Sequence, residues 1–173
     1  MENKLPKRKP NRLTEFDYSS RGAYFITICT KNRHRILSNI VGDGAYDVPK
    51  IELTQYGKIV DKYISSTNKI KNVYVEKYVI MPNHIHMLVF IENETQKYEN
   101  LKNNGTSKAP SPTNEIIPHI VSTLKRFCNK EIGENIFQRS FHDHIVRNKT
   151  DYEEVSKYIY ENPSNWEIDE FYN

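Results

Sequence analysis

Two apolar segments that lie only three residues apart constrain the fold of this chain most strongly. Residues 73–80 (VYVEKYVI) and 84–91 (HIHMLVFI) are rich in β-branched and aromatic side chains and are too short to be typical helices. Pro82, in the connection, cannot donate to a strand ladder. Because the connection is so short, the two segments are predicted to form an antiparallel pair of strands.

The remaining periodic segments complete a recognisable order of elements. We place strands at residues 23–30 and 136–146, and helices at 54–68, 115–130 and 150–162. Thr54 and Thr150 are the predicted N-caps of the first and last helix. The order β-α-β-β-α-β, followed by an extra helix, predicts a ferredoxin-like α+β fold with an antiparallel sheet.

One helix carries a clear apolar stripe. Five residues of the 115–130 helix are predicted to share its core face: Ile116, Ile120, Leu124, Phe127 and Cys128.

The length of 173 residues favours a single domain. Residues 1–21 are predicted to be a basic flexible arm, and Asp43-Gly44 is typical of a turn. Residues 93–114 are polar and aperiodic, which indicates a long flexible loop. We therefore expect a domain at residues 22–166, followed by an acidic tail at 167–173.

Composition excludes several classes of protein. No stretch approaches the ~18 consecutive apolar residues of a membrane span, so no contact with a membrane is expected. The basic first residues are not followed by the apolar core of a secretory signal. The two cysteines, Cys29 and Cys128, suit neither a disulfide framework nor a zinc knuckle, and a cytoplasmic location is expected.

The charge is distributed unevenly along the chain. The net charge is +3, yet residues 151–173 hold seven acids against the single Lys157, a charge of −6. Residues 1–150 therefore carry +9. A basic body of this kind favours a polyanionic partner such as nucleic acid, although many basic proteins bind none.

The pair His84 and His86 is the first candidate site. Residues i and i+2 of a strand point to the same face, so both imidazoles are presented together and could hold a metal ion. The alternative is an ordinary pair of histidines at the end of a strand. His142 and His144 form a second pair with the same spacing, which could bind metal or contact phosphate.

Tyr158 and Asn162 are neighbours on the final helix because they are four residues apart. A phenol beside an amide oxygen could serve a metal-bound phosphate, the phenol attacking it and the amide ligating the metal. The alternative is that Tyr158 packs in an apolar stripe with Val155 and Ile159.

Basic residues flank these segments and could follow a phosphate backbone. We assign DNA contacts to Lys125, Arg126, Arg139, His142 and Arg147.

Together these motifs resemble a known family. The segment 79–88 (VIMPNHIHML) resembles the signature of HUH single-tyrosine transposases. The segments 137–147 (FQRSFHDHIVR) and 158–163 (YIYENP) resemble the REP-associated tyrosine transposases in particular. The resemblance spans roughly residues 16–166, nearly the whole chain.

The resemblance implies a function and a set of site residues. It implies metal-dependent cleavage and transfer of single-stranded DNA near hairpins, through a 5′-phosphotyrosine link. It places the metal on His84, His86 and Asn162 and the nucleophile on Tyr158. Phosphate and oxygen ligands favour Mg²⁺ or Mn²⁺ as the cofactor. Monomer and homodimer both stay open, as does the DNA sequence recognised.

Two alternatives remain at the level of the sequence. One is a non-catalytic nucleic-acid-binding module that stacks bases on sheet aromatics such as Tyr24, Tyr74, Tyr78 and Phe90. The other is a domesticated transposase that keeps the fold and has lost mobility.

Overall fold

The fold is taken from a computed structural model that describes residues 22–42, 49–92 and 116–172. The predicted arm at 1–21, the turn at Asp43-Gly44 and the loop at 93–114 lie outside the described residues. None of the helices in these three ranges is both long and apolar enough to cross a membrane.

A four-stranded antiparallel sheet forms the centre of the molecule. Its strands, in spatial order, are β4 (Val73–Ile80), β5 (His84–Ile91), β1 (Gly22–Cys29) and β6 (His142–Val146). The short connection between β4 and β5 does make the predicted antiparallel hairpin, with Ile80 opposite Ile85. The two central strands, β1 and β5, supply many of the fully buried side chains.

Three helices cover the two faces of the sheet. They are α1 (Gln55–Thr67), α2 (Ile116–Ile132) and α3 (Lys149–Glu161). Helices α1 and α2 pack over the main core, which includes Tyr24, Ile26 and Ile28 of β1. Helix α3 packs over the other face through Val155 and Ile159. This arrangement confirms the ferredoxin-like α+β fold and the extra C-terminal helix.

Local chemistry explains where two of the helices begin or end. Thr54 caps α1 as predicted, because its hydroxyl accepts a hydrogen bond from the Gly57 amide at 3.1 Å. Gly133 follows α2 with a φ of 89°, a left-handed conformation that glycine adopts without steric cost.

Three local predictions are wrong. The N-cap of α3 is Asn148 and not Thr150, because the Asn148 side chain accepts from the Asp151 amide at 3.0 Å. Phe127 lies outside the core, is 38% exposed and stacks on Tyr63. The fourth strand is only the last part of residues 136–146, and Phe137 makes an isolated bridge with Thr30.

One pair of strands has no counterpart in the predictions. Strands β2 (Ser38–Val41) and β3 (Lys50–Leu53) form a separate antiparallel hairpin between β1 and α1. Ile40 and Ile51 from this hairpin pack against the same apolar cluster as α3.

Candidate active site

Strand β5 presents His84 and His86 on the same face of the sheet, as the spacing predicts. Both side chains are fully buried, and their ring centroids lie 4.4 Å apart. The sheet puts β5 between β4 and β1, so the pair is enclosed at the centre of the sheet and not at an exposed edge.

Hydrogen bonds fix the orientation of both rings. The Asn83 side-chain amide donates to the Phe171 carbonyl at 2.8 Å, which leaves its Oδ1 to accept from His84 Nδ1 at 2.9 Å. His86 Nδ1 lies 2.9 Å from the Thr27 hydroxyl, the residue that faces it across the β1–β5 ladder. Both Nε2 atoms are left buried without a hydrogen-bond partner in the described part of the chain.

The electrostatic surroundings keep both imidazoles neutral. Burial lowers the pKa of His84 to about 4. Burial, together with the neighbouring His84, lowers the pKa of His86 well below its usual value. At neutral pH each ring therefore offers an unprotonated nitrogen, which is the form that binds a metal ion.

Helix α3 brings Tyr158 and Asn162 to this histidine pair. The ring centroids of Tyr158 and His86 lie 5.1 Å apart. Asn162, the C-cap residue of α3, is buried beside His84. Its Oδ1 is the third buried acceptor here without a hydrogen-bond partner among the described residues.

These three atoms are what a divalent cation would satisfy. In the tautomer in which His86 Nδ1 donates to the Thr27 hydroxyl, both Nε2 atoms and the amide oxygen are acceptors, and a buried acceptor without a donor is costly. A cation replaces three missing donors at once, so the side chains present fit a metal ion. Nitrogen and oxygen donors of this kind are ligands for Mn²⁺ and Zn²⁺, and the oxygen also suits Mg²⁺.

Asp169 is a site residue that the sequence analysis missed. Its carboxylate and the two imidazoles bring possible ligand atoms within 4.8 Å of one another. Asp169 Oδ2 accepts hydrogen bonds from the Tyr158 hydroxyl at 3.1 Å and from the Asn162 amide at 2.7 Å. The residue falls in an aperiodic acidic segment, where no spacing rule separates it from its acidic neighbours.

The segment that carries Asp169 also covers the histidines. The Phe171 ring lies 4.7 Å from the His84 ring and 5.8 Å from the His86 ring, centroid to centroid. The Arg33 guanidinium lies over the Phe171 ring, 4.3 Å from its centroid. A side chain of the C-terminal segment therefore excludes water from the imidazoles.

Tyr158 is the accessible member of the group. Its side chain is 39% exposed. Burial of the rest of the ring and the charge of Asp169 raise its pKa above the ordinary value. The hydroxyl is therefore protonated at neutral pH and needs a nearby positive charge to become a good nucleophile.

A cavity of about 340 Å³ adjoins the site. Arg33, Phe171 and His142 are among the residues that line it. The cavity offers a cationic side chain close to the histidine pair, where a phosphate group could approach.

The second histidine pair occupies a different position. His142 and His144 lie on β6 and share a face, and both are exposed. His144 Nε2 lies 2.8 Å from Asp151 Oδ1 and so links β6 to α3. Within residues 22–42, 49–92 and 116–172, a group of three possible ligands forms only around His84, His86 and Asp169.

The predicted DNA-contacting residues fall in three places. Lys125, Arg126 and Arg139 line one cavity of about 910 Å³ beside α2. His142 lies at the active-site cavity, and Arg147 is exposed just before α3.

Lys125 already has internal partners. Its ammonium donates to the carbonyls of Gln138 at 2.9 Å and Ser140 at 2.8 Å, and burial lowers its pKa to about 8. Its phosphate contact stays a prediction, and would require the ammonium to leave these carbonyls.

Comparison with known proteins gives two findings on family and fold. No family model matches the sequence. An uncharacterized protein of Haemophilus influenzae (strain ATCC 51907 / DSM 11121 / KW20 / Rd) is 30% identical over 174 residues, which cover 95% of this chain and 93% of that protein. The chain belongs to the family of this Haemophilus protein.

The second finding concerns the structure. The REP-associated tyrosine transposase bound to a REP hairpin superposes with a TM-score of 0.58 at 18% identity. The match covers 84% of this chain and 68% of the transposase. The chain therefore has the fold of a REP-associated tyrosine transposase, and the resemblance seen in the sequence motifs is confirmed at that level.

Proposed function

We propose that this protein cuts and rejoins single-stranded DNA through a covalent bond between Tyr158 and a 5′ phosphate. The observation that carries the proposal is that a partly exposed phenol lies beside three buried polar atoms, on His84, His86 and Asn162, which have no hydrogen-bond partner among the described residues. Two separate elements, β5 and α3, supply these groups. The transposase of the same fold binds a REP hairpin, which supports DNA with hairpin structure as the substrate.

His84, His86 and Asn162 would hold a divalent cation, Mg²⁺ or Mn²⁺. When bound, such a cation stabilises negative charge on phosphate oxygens and orients the phosphate for attack. The residues of the chain orient the atoms that would hold the cation. The buried rings stay neutral, and Asn83 and Thr27 hold their Nδ1 sides so that both Nε2 atoms face the same space.

The proposed reaction balances without an external energy source. The Tyr158 oxygen attacks phosphorus, the bond to the 3′ oxygen breaks, and the phenolic proton leaves as the 3′ hydroxyl forms. Asp169 Oδ2, 3.1 Å from the Tyr158 oxygen, orients the hydroxyl. The phosphotyrosine ester keeps the energy of the phosphodiester, so a 3′ hydroxyl can reverse the step and rejoin a strand.

The structure disfavours the binding-module alternative. Tyr24 is fully buried, and the half-buried Phe90 packs against Tyr152 of α3. Helices cover both faces of the sheet, so the aromatic surface on which bases would stack is not available as a whole. A domesticated transposase stays compatible with the proposal, because it would have the same site.

The proposal is tested by trapping the covalent intermediate. The protein is mixed with labelled single-stranded hairpin DNA from the sequence flanking its gene, with Mg²⁺ or Mn²⁺, and label that stays on the denatured protein is counted. We expect an adduct that disappears with EDTA and in Tyr158→Phe. Tyr160→Phe is the matched control, because Tyr160 lies on the same helix and is 82% exposed. An adduct that survives in Tyr158→Phe would refute the assigned nucleophile.

A further inference from the structure

A second cavity, of about 650 Å³, lies between strand β4 and helix α3. Its lining includes Glu76, Tyr78, Ser156 and Tyr160, whereas Tyr158 is not part of it. We propose that this cavity binds one unpaired base of the DNA strand and selects a base with an exocyclic amino group. This inference rests on the proposed function, which brings single-stranded DNA to α3.

A β-bulge directs the polar groups of β4 towards α3. Val75 pairs with Val89 and Lys77 with Leu88, so Glu76 is an extra residue in the ladder. As a result Glu76 and Lys77 both contact Tyr152 of α3. Glu76 Oε1 accepts a hydrogen bond from the Tyr152 hydroxyl, and the Lys77 ammonium lies 5.4 Å from the centroid of the Tyr152 ring. Bulges commonly re-aim side chains beside functional sites.

Two buried polar atoms in this lining have no partner. Glu76 Oε1 accepts from Tyr152, but neither Glu76 Oε2 nor the Ser156 hydroxyl on the facing helix has a hydrogen bond to any residue that the structure describes. A carboxylate oxygen accepts hydrogen bonds, so the group that would complete Glu76 Oε2 is a donor. A phosphate is excluded at this position because it is also an acceptor and carries the same charge.

The chemistry of this lining fits a base. The exocyclic amino groups of cytosine, adenine and guanine are donors to a glutamate, whereas the single donor of an unpaired thymine base, N3–H, lies between two carbonyl oxygens that repel a carboxylate. Tyr160 is 82% exposed at the rim, and a free aromatic ring is a stacking surface for a base. Lys77 and Lys157 also line the cavity and supply positive charge for the adjoining phosphates.

The position of the cavity relates it to the cleavage site. Ser156 and Tyr160 lie two residues before and two residues after Tyr158 on the same helix. Residues two apart on a helix point to different faces, so the cavity lies on another face of α3 from the Tyr158 hydroxyl. A base held here therefore belongs to the same DNA strand, but not to the nucleotide whose phosphate Tyr158 would attack. The cavity would contribute to the choice of the cleavage position.

The test uses binding alone, without metal. Fluorescence anisotropy at pH 8 measures the affinity of the full chain for labelled 12-nucleotide oligo(dC) and oligo(dT), with oligo(dA) as a third probe. Cytosine and thymine are both small pyrimidines, and they differ in the amino group. We expect oligo(dC) and oligo(dA) to bind about tenfold more tightly than oligo(dT).

Conservative variants assign any preference to the cavity. Glu76→Gln can still accept from Tyr152 but turns an amide N–H towards the base, so we expect the preference over oligo(dT) to disappear. Glu153→Gln is the matched control, because Glu153 is an exposed acid on α3 whose carboxylate lies 3.6 Å from Lys149, and it should keep the preference. Thermal unfolding checks that both variants fold.

The outcomes separate this inference from the proposed function. Equal binding of the probes by the unaltered protein, or a preference that persists in Glu76→Gln, overturns the base site. The adduct assay with Tyr158→Phe reports on the catalytic proposal independently. A Tyr158 adduct without the Glu76-dependent preference would leave the reaction standing and remove the base site. A Glu76-dependent preference without a Tyr158 adduct would refute the proposed reaction and leave the base site standing.

Discussion

Among individual residues, the buried histidines couple the candidate site to the stability of the fold. His84 has a folded-state pKa of about 4, below the value of about 6.5 that an exposed histidine has. The folded protein therefore takes up fewer protons than the unfolded chain as the pH falls. The contribution of His84 to the stability is therefore fully present above pH ~6.5 and is lost as the pH falls towards 4.

We expect the free energy of unfolding to drop by about 2 kcal/mol between pH 7 and pH 5 from His84 alone. Urea unfolding in EDTA at the two pH values measures this drop. His84→Gln should show a drop smaller by about that amount, whereas the control His119→Gln, which alters an exposed residue, should behave as the unaltered protein. An unchanged drop in His84→Gln would contradict the assigned pKa.

Metal binding should distinguish Asn162 from Asp169. Asn162 Oδ1 has no hydrogen-bond partner within the described ranges, whereas Asp169 Oδ2 already accepts from Tyr158 and Asn162. We expect Asn162→Ala to weaken Mn²⁺ binding about tenfold or more, and Asp169→Asn to weaken it much less, as titration calorimetry would measure. If Asp169→Asn has the larger effect, the carboxylate is the third ligand and Asn162 only positions it.

Among the elements, helix α1 contains a glycine that the packing requires, although alanine has the better helix propensity. A Cβ built on Gly57 would lie 2.0 Å from the Leu37 carbonyl oxygen, far inside contact distance. Gly57→Ala should therefore destabilise the fold by about 2 kcal/mol or more, despite the better helix propensity of alanine. Urea unfolding measures the change. Gly22→Ala is the control, because its nearest contact would be an ordinary 3.6 Å.

The start of α3 gives a second prediction for an element. Asn148→Ala should cost about 1 kcal/mol of stability, because it removes the side chain that caps the Asp151 amide. Thr150→Ala alters a side chain inside the first turn that is not the cap, and it should change the stability by less than about 0.5 kcal/mol. Equal costs for the two variants would contradict the assignment of the cap.

These two elements also show what the sequence could predict. The long periodic segments were recognised, because alternation and helical spacing are local properties. The cap at Asn148 was missed because Asn and Thr are both good caps and only the path of the backbone decides between them. The β2–β3 hairpin has strands of four residues, too short for a period to be distinct.

The candidate site divides in the same way. The spacing of a strand pairs His84 with His86 and the spacing of a helix pairs Tyr158 with Asn162, and the resemblance to tyrosine transposases singles these pairs out as site residues. Asp169 and Thr27 reach the site through tertiary packing and ladder register, which no local spacing encodes. Asn83 directly precedes His84 in the sequence, but its orientation depends on the distant Phe171 carbonyl.

For the whole molecule, the basic groups beside α2 make a prediction about the DNA-binding field. Arg126 and Arg139 are exposed on the 910 Å³ cavity, whereas the Lys125 ammonium is held by backbone carbonyls. Binding to phosphates releases counterions, and each phosphate contact adds about 0.7 to the slope of log affinity against log salt for a single strand. Replacing an exposed arginine should therefore change the salt dependence of DNA binding, whereas replacing Lys125 should change the free energy of unfolding.

Arg126→Gln and Arg139→Gln should each lower the slope for labelled oligo(dT) by about 0.7 and weaken binding to all sequences alike. Lys125→Met should leave the slope unchanged and lower the free energy of unfolding by about 1–3 kcal/mol, because it strips the Gln138 and Ser140 carbonyls of a donor. Anisotropy titrations at several salt concentrations, with urea unfolding in parallel, measure both quantities. A lower slope in Lys125→Met would mean that the ammonium leaves its carbonyls for a phosphate, and the interior of the loop at 138–140 would then rearrange when DNA binds.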